Sequence, residues 1–381
     1  MMIDNMDFDD IRPYNQEEIP GAISRMKSHP NFKLALDYLF SKDEQEIILT
    51  DLGNAISSLD FQKALMHKAI NRILEKSSEG LSLKNEKMLI ENGPSVFVAN
   101  HRDILLDSAI LQVVLVDLGL ETSEITFGSN LMVNDFVIDF GKTNRMYTVY
   151  REGSPREMLE NSKRLSAYVH YTIQDKKLSS WIAQRKGRTK DGNDRTDTAV
   201  LKMLTIYDRK NPIAAIQELN ILPIIISYEW EPCDLLKIRE QYLRAKSAYQ
   251  KQEGEDINSV LQGIIQKKGR VQLAIGEPVN GFVQRNMETL DKGKIYQKVS
   301  DFIDYQVFKN HALYPNNYWA FDQLNNKKEY ADYYDLETEN QMRARIQELF
   351  ELVGEENKVL EEMFLRLYAN PMINKRSITD I

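Results

Sequence analysis

A histidine and two aspartates stand together where an apolar run gives way to a polar turn. The run Ser95-Val-Phe-Val-Ala leads into His101, and Asp103 and Asp107 follow it closely. Imidazole has an unperturbed pKa near about 6.5, so a histidine oriented by a carboxylate can serve as a general base at neutral pH. We therefore expect the chemistry of this protein at the end of this run.

A cluster of basic residues is the second chemical signal. The whole chain has a net charge of -8, which argues against a nucleic-acid partner, yet the stretch from Lys142 to Lys190 holds twelve Lys and Arg against four Asp and Glu. A solvated helix face would explain part of this excess. Other members flank short apolar runs and are predicted at strand ends, where they would form an anion site: Arg151, Arg185, Lys186 and Arg188.

Composition narrows the class of protein. The 381 residues are 42% apolar and 28% charged, as in a soluble globular protein, and no run approaches the roughly 18 to 20 apolar residues of a bilayer span. The first residues are acidic, unlike a secretory signal. A single cysteine, Cys233, allows no internal disulfide, and the five histidines show no metal-ligand spacing. We expect a cytoplasmic protein that holds no metal.

The elements that must position these residues alternate along the chain from residue 95 onward. Strands are predicted at Ser95–Ala99, Ile125–Gly128, Met146–Tyr150, Ser180–Gln184, Leu222–Tyr228 and Val271–Ile275. Helices are predicted at Ile104–Leu118, Pro155–Ile173, Thr198–Tyr207 and Asp234–Lys251. This alternation predicts an α/β fold with a mostly parallel central sheet flanked by helices, whose functional groups gather at strand ends.

Helical segments enclose this α/β part on both sides. We predict an N-terminal helical region over residues 1–88, an α/β domain over 89–310 and a helical C-terminal extension over 311–381. The helix around residues 61–76 is expected to end at Ser77 to Gly80, and Pro371 is expected to close the last helix.

Several blocks, taken in order, resemble motifs of the glycerophospholipid acyltransferases. The first is Asn100-His-Arg-Asp-Ile-Leu-Leu-Asp107, which resembles the His-Asp motif of that family. Similar blocks follow over residues 128–151, where an arginine comes after a short strand, and over 181–192, where a strand leads into a glycine turn and an arginine. Two more lie at 221–228, where proline opens an apolar strand, and at 271–278. The resemblance spans roughly residues 95 to 280.

This resemblance implies transfer of a fatty acyl group from a thioester to a hydroxyl of glycerol 3-phosphate or a lysophospholipid-like acceptor. The acyl donor would be acyl-CoA or an acyl-carrier protein, used as a substrate, with no cofactor. His101 would be the base and Asp107 its partner. The implied substrate-binding residues are Arg102, Arg151, Lys186, Gly187 and Arg188.

The chain departs from the family pattern at two places. Five residues rather than four separate His101 from Asp107, and the Ser-Ala-Ile-Leu that follows aligns better with Asp107 than with Asp103 as the partner. Asp103 is then expected to cap the next helix. Lys186 stands where the family carries an acidic residue, which leaves the acceptor, and activity itself, open.

Two other functions fit the same residues. One is a non-catalytic protein of this fold that binds lipid or acyl-carrier protein, and the other is a hydrolase that uses the His-Asp pair on water. For the acyltransferase we expect peripheral attachment to the inner face of the cell membrane. The contact would join the basic residues to exposed apolar side chains near the mouth of the site.

Overall fold

The computed structural model describes residues 6–150, 152–246, 249–250, 254–286 and 293–378. These residues form a seven-stranded sheet in the order β1-β7-β6-β2-β5-β3-β4. The strands are β1 (Ser78–Lys84), β2 (Val96–Ala99), β3 (Glu124–Gly128), β4 (Met146–Val149), β5 (Ser180–Ala183), β6 (Leu222–Tyr228) and β7 (Gly269–Ile275). All six predicted strands are present.

The sheet is mostly parallel, as the alternation predicts. Strand β2 lies near its centre and runs parallel to both β5 and β6, with Ala99 opposite Ala183 and Ile224. Strands β3, β4 and β5 are also mutually parallel, whereas β7 pairs antiparallel with β6 and parallel with β1. The carboxyl ends of β2, β3, β5 and β6 therefore meet at one edge, where ligand sites of parallel sheets form.

Helices cover both faces of the sheet and extend at both ends of the chain. The early helices are α1 (Ile19–Ser28), α2 (Pro30–Leu39), α3 (Lys42–Asn54), α4 (Ser58–Phe61), α5 (His67–Ser77), α6 (Lys87–Glu91) and α7 (Leu106–Asp117). The middle helices are α8 (Asp135–Thr143), α9 (Pro155–Gln174), α10 (Thr198–Leu204), α11 (Pro212–Leu219), α12 (Asp234–Lys246) and α13 (Glu255–Ile265). The last are α14 (Val279–Arg285), α15 (Ile295–Asn310), α16 (Pro315–Asn325), α17 (Leu336–Val353) and α18 (Lys358–Arg376).

Successive residues of a strand point to opposite faces of the sheet, so their side chains pack into two separate hydrophobic cores. Phe97 and Trp181 belong to the core that the N-terminal helices and α7 complete. Val98 and Ile182 belong to the core beneath α9, α10, α11 and α15. A third cluster, which includes the fully buried Phe364, lies among α12, α16, α17 and α18.

Strand β1 was not predicted, because it lies within the region expected to be helical. Its sequence lacks the alternation of apolar residues that indicates a strand, and most of its side chains are exposed. It forms the edge of the sheet and is added by parallel pairing with β7. Long-range pairing, rather than local pattern, thus determines its structure.

The prediction that Pro371 ends the last helix is wrong, because α18 continues to Arg376. Proline has no N–H to donate to the carbonyl four residues earlier, which is that of Leu367. The backbone of Gly192, with φ +73°, packs against that carbonyl so closely that a Cβ would lie 2.1 Å from the oxygen.

No helix within the described residues is long and apolar enough to cross a bilayer.

Candidate active site

The turn after β2 is fixed by the side chain of Asn100, which forms hydrogen bonds like those of a strand residue. The Asn100 amide donates to the carbonyl of Ile226 at 3.0 Å and accepts from the N–H of Ile226 at 2.8 Å. These bonds continue the pairing of β2 with β6 by one residue after the strand itself ends. Because Asn100 is fully buried, the chain leaves the sheet at a defined point, and His101 follows there.

His101 is paired with Asp107 across the first turn of α7. Its Nδ1 lies 2.9 Å from Asp107 Oδ2, and that carboxylate is buried while the imidazole is partly exposed. The same oxygen accepts the backbone N–H of Arg102 at 2.5 Å and of Asp103 at 2.9 Å. Its other oxygen accepts the hydroxyl of Tyr228 at 2.9 Å. With Nδ1 held in this way, Nε2 is the nitrogen that can exchange a proton with a substrate.

Asp103 caps the start of α7 instead of pairing with His101. Its Oδ1 accepts the N–H groups of Leu105 at 2.9 Å and Leu106 at 2.8 Å, as expected of a capping carboxylate. Its Oδ2 is buried without a hydrogen-bond partner among the described residues. Burial and the neighbouring Asp107 carboxylate raise the pKa of Asp103.

Arg102 lies in the protein interior, where its guanidinium pairs with two carboxylates. It contacts Asp194 Oδ2 at 2.6 Å and Glu231 Oε2 at 2.8 Å. Lys237 joins the same cluster, contacting Glu231 Oε1 at 2.5 Å and the Arg102 carbonyl at 2.6 Å. Burial opposes ionisation of Asp194, but Arg102 reverses this effect, and the net pKa of Asp194 is lowered. Arg102 does not line the cavity described below, so its sequence-based assignment to substrate is not supported by its position.

The same cluster anchors the loop that follows β5. Asp194 belongs to this loop, and the N–H of Thr189 donates to the carbonyl of His101 at 2.7 Å. Gly187 has φ +75°, a conformation that favours glycine and turns the chain between Lys186 and Arg188. The loop therefore carries its basic side chains to the same edge of the sheet as His101.

His101 and this loop share one cavity of about 660 Å³. That volume lies within the roughly 300 to 1,000 Å³ typical of small-molecule sites. The rings of His101 and Trp181 are in a T-shaped arrangement, with centroids 5.7 Å apart. One wall is apolar and includes Ile125, Phe127, Phe136, Val137, Phe140 and Trp181. The lining also carries the cations Arg185, Lys186, Arg188, Lys190 and Arg244 together with the carboxylates Asp191, Glu240 and Asp256.

Only part of the basic cluster is available to a ligand. Lys190 and Arg244 both pair with Glu240. Arg185, Lys186 and Arg188 form no ion pair within the described chain, and the Nη1 atom of Arg188 is buried without a hydrogen-bond partner there.

Other basic residues of the stretch are neutralised elsewhere: Arg145 by Glu121, Lys163 by Glu160, Arg164 by Asp10 and Lys176 by Glu124. Lys142 donates to the carbonyl of Asp10 and does not line the cavity. Arg151 lies outside the described residues, so its predicted role stays a prediction.

Sequence reasoning missed the residues that support the pair. Tyr228 was predicted only as the last residue of a strand, yet its hydroxyl donates to the Asp107 carboxylate. Its place at the end of the strand beside β2 is the signal that could have identified it. Asp194, Glu231 and Lys237 gave no such signal, since they meet Arg102 from segments far along the chain.

Several chains of solved structures match this chain. The chain is similar to the crystal structure of the 1-acyl-sn-glycerophosphate (LPA) acyltransferase PlsC from Thermotoga maritima, with 12% identity and a TM-score of 0.35. The similarity covers 76% of this chain and 92% of that one. No sequence-family model and no curated protein sequence matches the chain.

Proposed function

We propose that this protein is an O-acyltransferase that moves a fatty acyl group from a thioester to a hydroxyl of a glycerol 3-phosphate or lysophospholipid-like acceptor. One observation carries the proposal: His101, held by Asp107, lines a cavity that contains both apolar side chains and cations without an ion pair among the described residues. A hydrocarbon chain suits the apolar wall and a phosphate suits the guanidinium groups.

The reaction follows from the position of Nε2. It accepts the proton of the acceptor hydroxyl as the oxygen attacks the thioester carbonyl carbon, and the Asp107 carboxylate stabilises the imidazolium that forms. The tetrahedral intermediate collapses with cleavage of the C–S bond, and the imidazolium returns its proton to the departing thiolate. Such positioned proton transfer contributes roughly 10²- to 10⁴-fold to the rate.

Four backbone N–H groups in the turn that leads into α7 are already engaged and so are poorly suited to stabilise the oxyanion. The N–H groups of Arg102 and Asp103 already donate to Asp107, and those of Leu105 and Leu106 donate to Asp103. Arg188, whose buried Nη1 has no partner among the described residues, supplies a donor for developing charge or for the acceptor phosphate.

Peripheral attachment to a membrane is part of the proposal. Helix α13 carries Ile257, Leu261 and Ile265 four residues apart, each more than half exposed, and Ile257 also lines the cavity. Val133, which is equally exposed, lines it too. An apolar stripe at the mouth of a cavity with a cationic rim fits an anionic lipid surface.

The test measures release of free thiol from an acyl thioester, with and without an acceptor hydroxyl. His101→Ala should abolish transfer and leave the fold intact, since the imidazole is partly exposed. The matched control is His67→Ala, which removes a second His-Asp pair, with Asp117, that lies outside the cavity. Thiol release at the same rate with and without the acceptor would indicate a hydrolase. Binding of the thioester without release of thiol would indicate a non-catalytic protein.

A further inference from the structure

A second cavity of about 390 Å³ lies on the opposite face of the sheet. Neighbouring residues of β5 point to opposite faces, so Trp181 lines the first cavity and Ile182 lines the second. Its remaining walls come mainly from α9 and α10. They are largely apolar and include Val149, Met158, Leu165, Val200 and Met203.

The two cavities meet at the carboxyl edge of the sheet. Thr126, Ala183, Arg185 and Lys186 line both of them. The second cavity is thus a largely apolar space that shares two cations with the first. Asp197, a carboxylate in the second lining, caps α10 by accepting the N–H of Ala199 at 2.8 Å and forms no ion pair with these cations among the described residues.

We propose that the second cavity binds the hydrocarbon chain of a single-chain anionic amphiphile, whose charged group lies at Arg185 and Lys186. An apolar interior favours a hydrocarbon chain because burial removes it from water. The two cations that line both cavities favour an anionic head. The volume again falls within the roughly 300 to 1,000 Å³ of ligand sites.

Two amphiphiles share this chemistry. One is a lysophospholipid acceptor, whose own chain would lie across the sheet from the acyl chain being transferred. The other is a free fatty acid. The first identity rests on the proposed function and would make the acceptor one that already bears a chain, whereas amphiphile binding itself requires no catalysis.

The experiment uses two photoreactive probes, a 16-carbon fatty acid with a terminal diazirine and a 1-acyl-glycerol 3-phosphate with the same chain. Each is photolysed with the full-length His101→Ala protein, and the labelled peptides are mapped by mass spectrometry. We expect label on α9 and α10. Label from the lysophospholipid alone assigns the cavity to the acceptor, label from the fatty acid alone assigns it to fatty acid, and label from both supports the shared chemistry.

Two matched substitutions separate the cavities. Val200→Trp fills the second cavity from α10, and Val137→Trp fills the first from α8; both positions are half-buried. Val200→Trp should reduce labelling of α9 and α10 at least tenfold, and Val137→Trp should leave it unchanged. If Val200→Trp alters the melting curve, Ser162→Phe fills the same cavity from α9.

Labelling confined to the first cavity, or labelling of α9 and α10 that a folded Val200→Trp protein retains, would overturn the inference. Because no readout depends on turnover, this failure is distinct from failure of the proposed function. A protein that transfers acyl groups to a lysophospholipid, yet never labels on α9 or α10, would refute the cavity assignment alone.

Discussion

Replacing Asp107 by asparagine would remove one charge from the site and keep the shape of the side chain. Three donors converge on Oδ2, and two of them are backbone N–H groups that cannot turn. The side-chain oxygen of the asparagine must therefore occupy the position of Oδ2. Its NH₂ group then faces Tyr228, whose hydroxyl can rotate to accept. The Nδ1 atom of His101 keeps its acceptor, so the tautomer is preserved.

The expected loss follows from the charge alone. Hydrogen bonds to charged groups contribute about 1.5 to 3 kcal/mol, and neutral ones about 0.5 to 1.5 kcal/mol. Because the neutral bond remains, losing the charge beside the imidazolium should raise the barrier by about 1 to 1.5 kcal/mol, which is about 5- to 13-fold in kcat. A triad that adopts the wrong tautomer loses about 10⁴-fold.

The assay is thiol release at saturating acceptor, with Asp103→Asn as the matched variant. The pKa of Asp103 is raised by burial and by Asp107, so its ionised form is disfavoured in the folded state and costs stability at neutral pH. Asp103→Asn should therefore leave the free energy of unfolding unchanged or increase it, with the smaller loss of activity. A loss near 10⁴-fold for Asp107→Asn, no loss at all, or greater damage from Asp103→Asn would refute the reasoning.

Three further predictions concern other parts of the molecule. Arg188→Ala should raise KM for a phosphate-bearing acceptor about 10- to 100-fold, and KM for the thioester much less, in steady-state kinetics; equal use of an uncharged acceptor would contradict it. Leu261→Asp should weaken flotation with anionic liposomes at low salt, whereas Leu336→Asp, which is even more exposed but lies on α17, should not. Burial, together with Arg102, lowers the pKa of His311 to about 3, so the fold holds this histidine neutral. Stability from this residue is complete above about pH 6.5 and falls by about 5 kcal/mol towards pH 3. Urea denaturation at a series of pH values should show that the free energy of unfolding falls less steeply below about pH 6.5 in His311→Gln than in the unmodified protein. An equally steep fall in both proteins would contradict the prediction.

The sheet could be predicted from the sequence because its strands are continuous apolar runs. Strand β6 has every residue buried, and β2 does as well, so local hydrophobicity marks both clearly. Strand β1 lacks this signal because it is an exposed edge strand that pairing with β7 completes. The antiparallel orientation of β7 against β6 is also absent from any local pattern.

The pairing of His101 with Asp107 was within reach of sequence reasoning, because both residues lie on one turn and the start of one helix. The surroundings of Arg102 were not. Its sequence position beside His101 suggested a substrate ligand, but its partners Asp194 and Glu231 lie 92 and 129 residues further along the chain. Buried ion pairs of this kind depend on the assembled fold, and an arginine without them would be strongly destabilising there.

Lys186 stands where the pattern of the resembled family has an acidic residue, and its position in the structure gives this difference a physical interpretation. In the family that the sequence resembles, an acidic residue at this position would lie beside Arg185 and near Arg188, and would offset part of their charge. Here the rim instead carries three cations without an ion pair among the described residues, and Lys186 is exposed between two cavities. Like charges so close repel one another, and that repulsion is relieved when an anion binds between them. Under the proposed function, Lys186 therefore favours a more anionic substrate at this edge of the sheet.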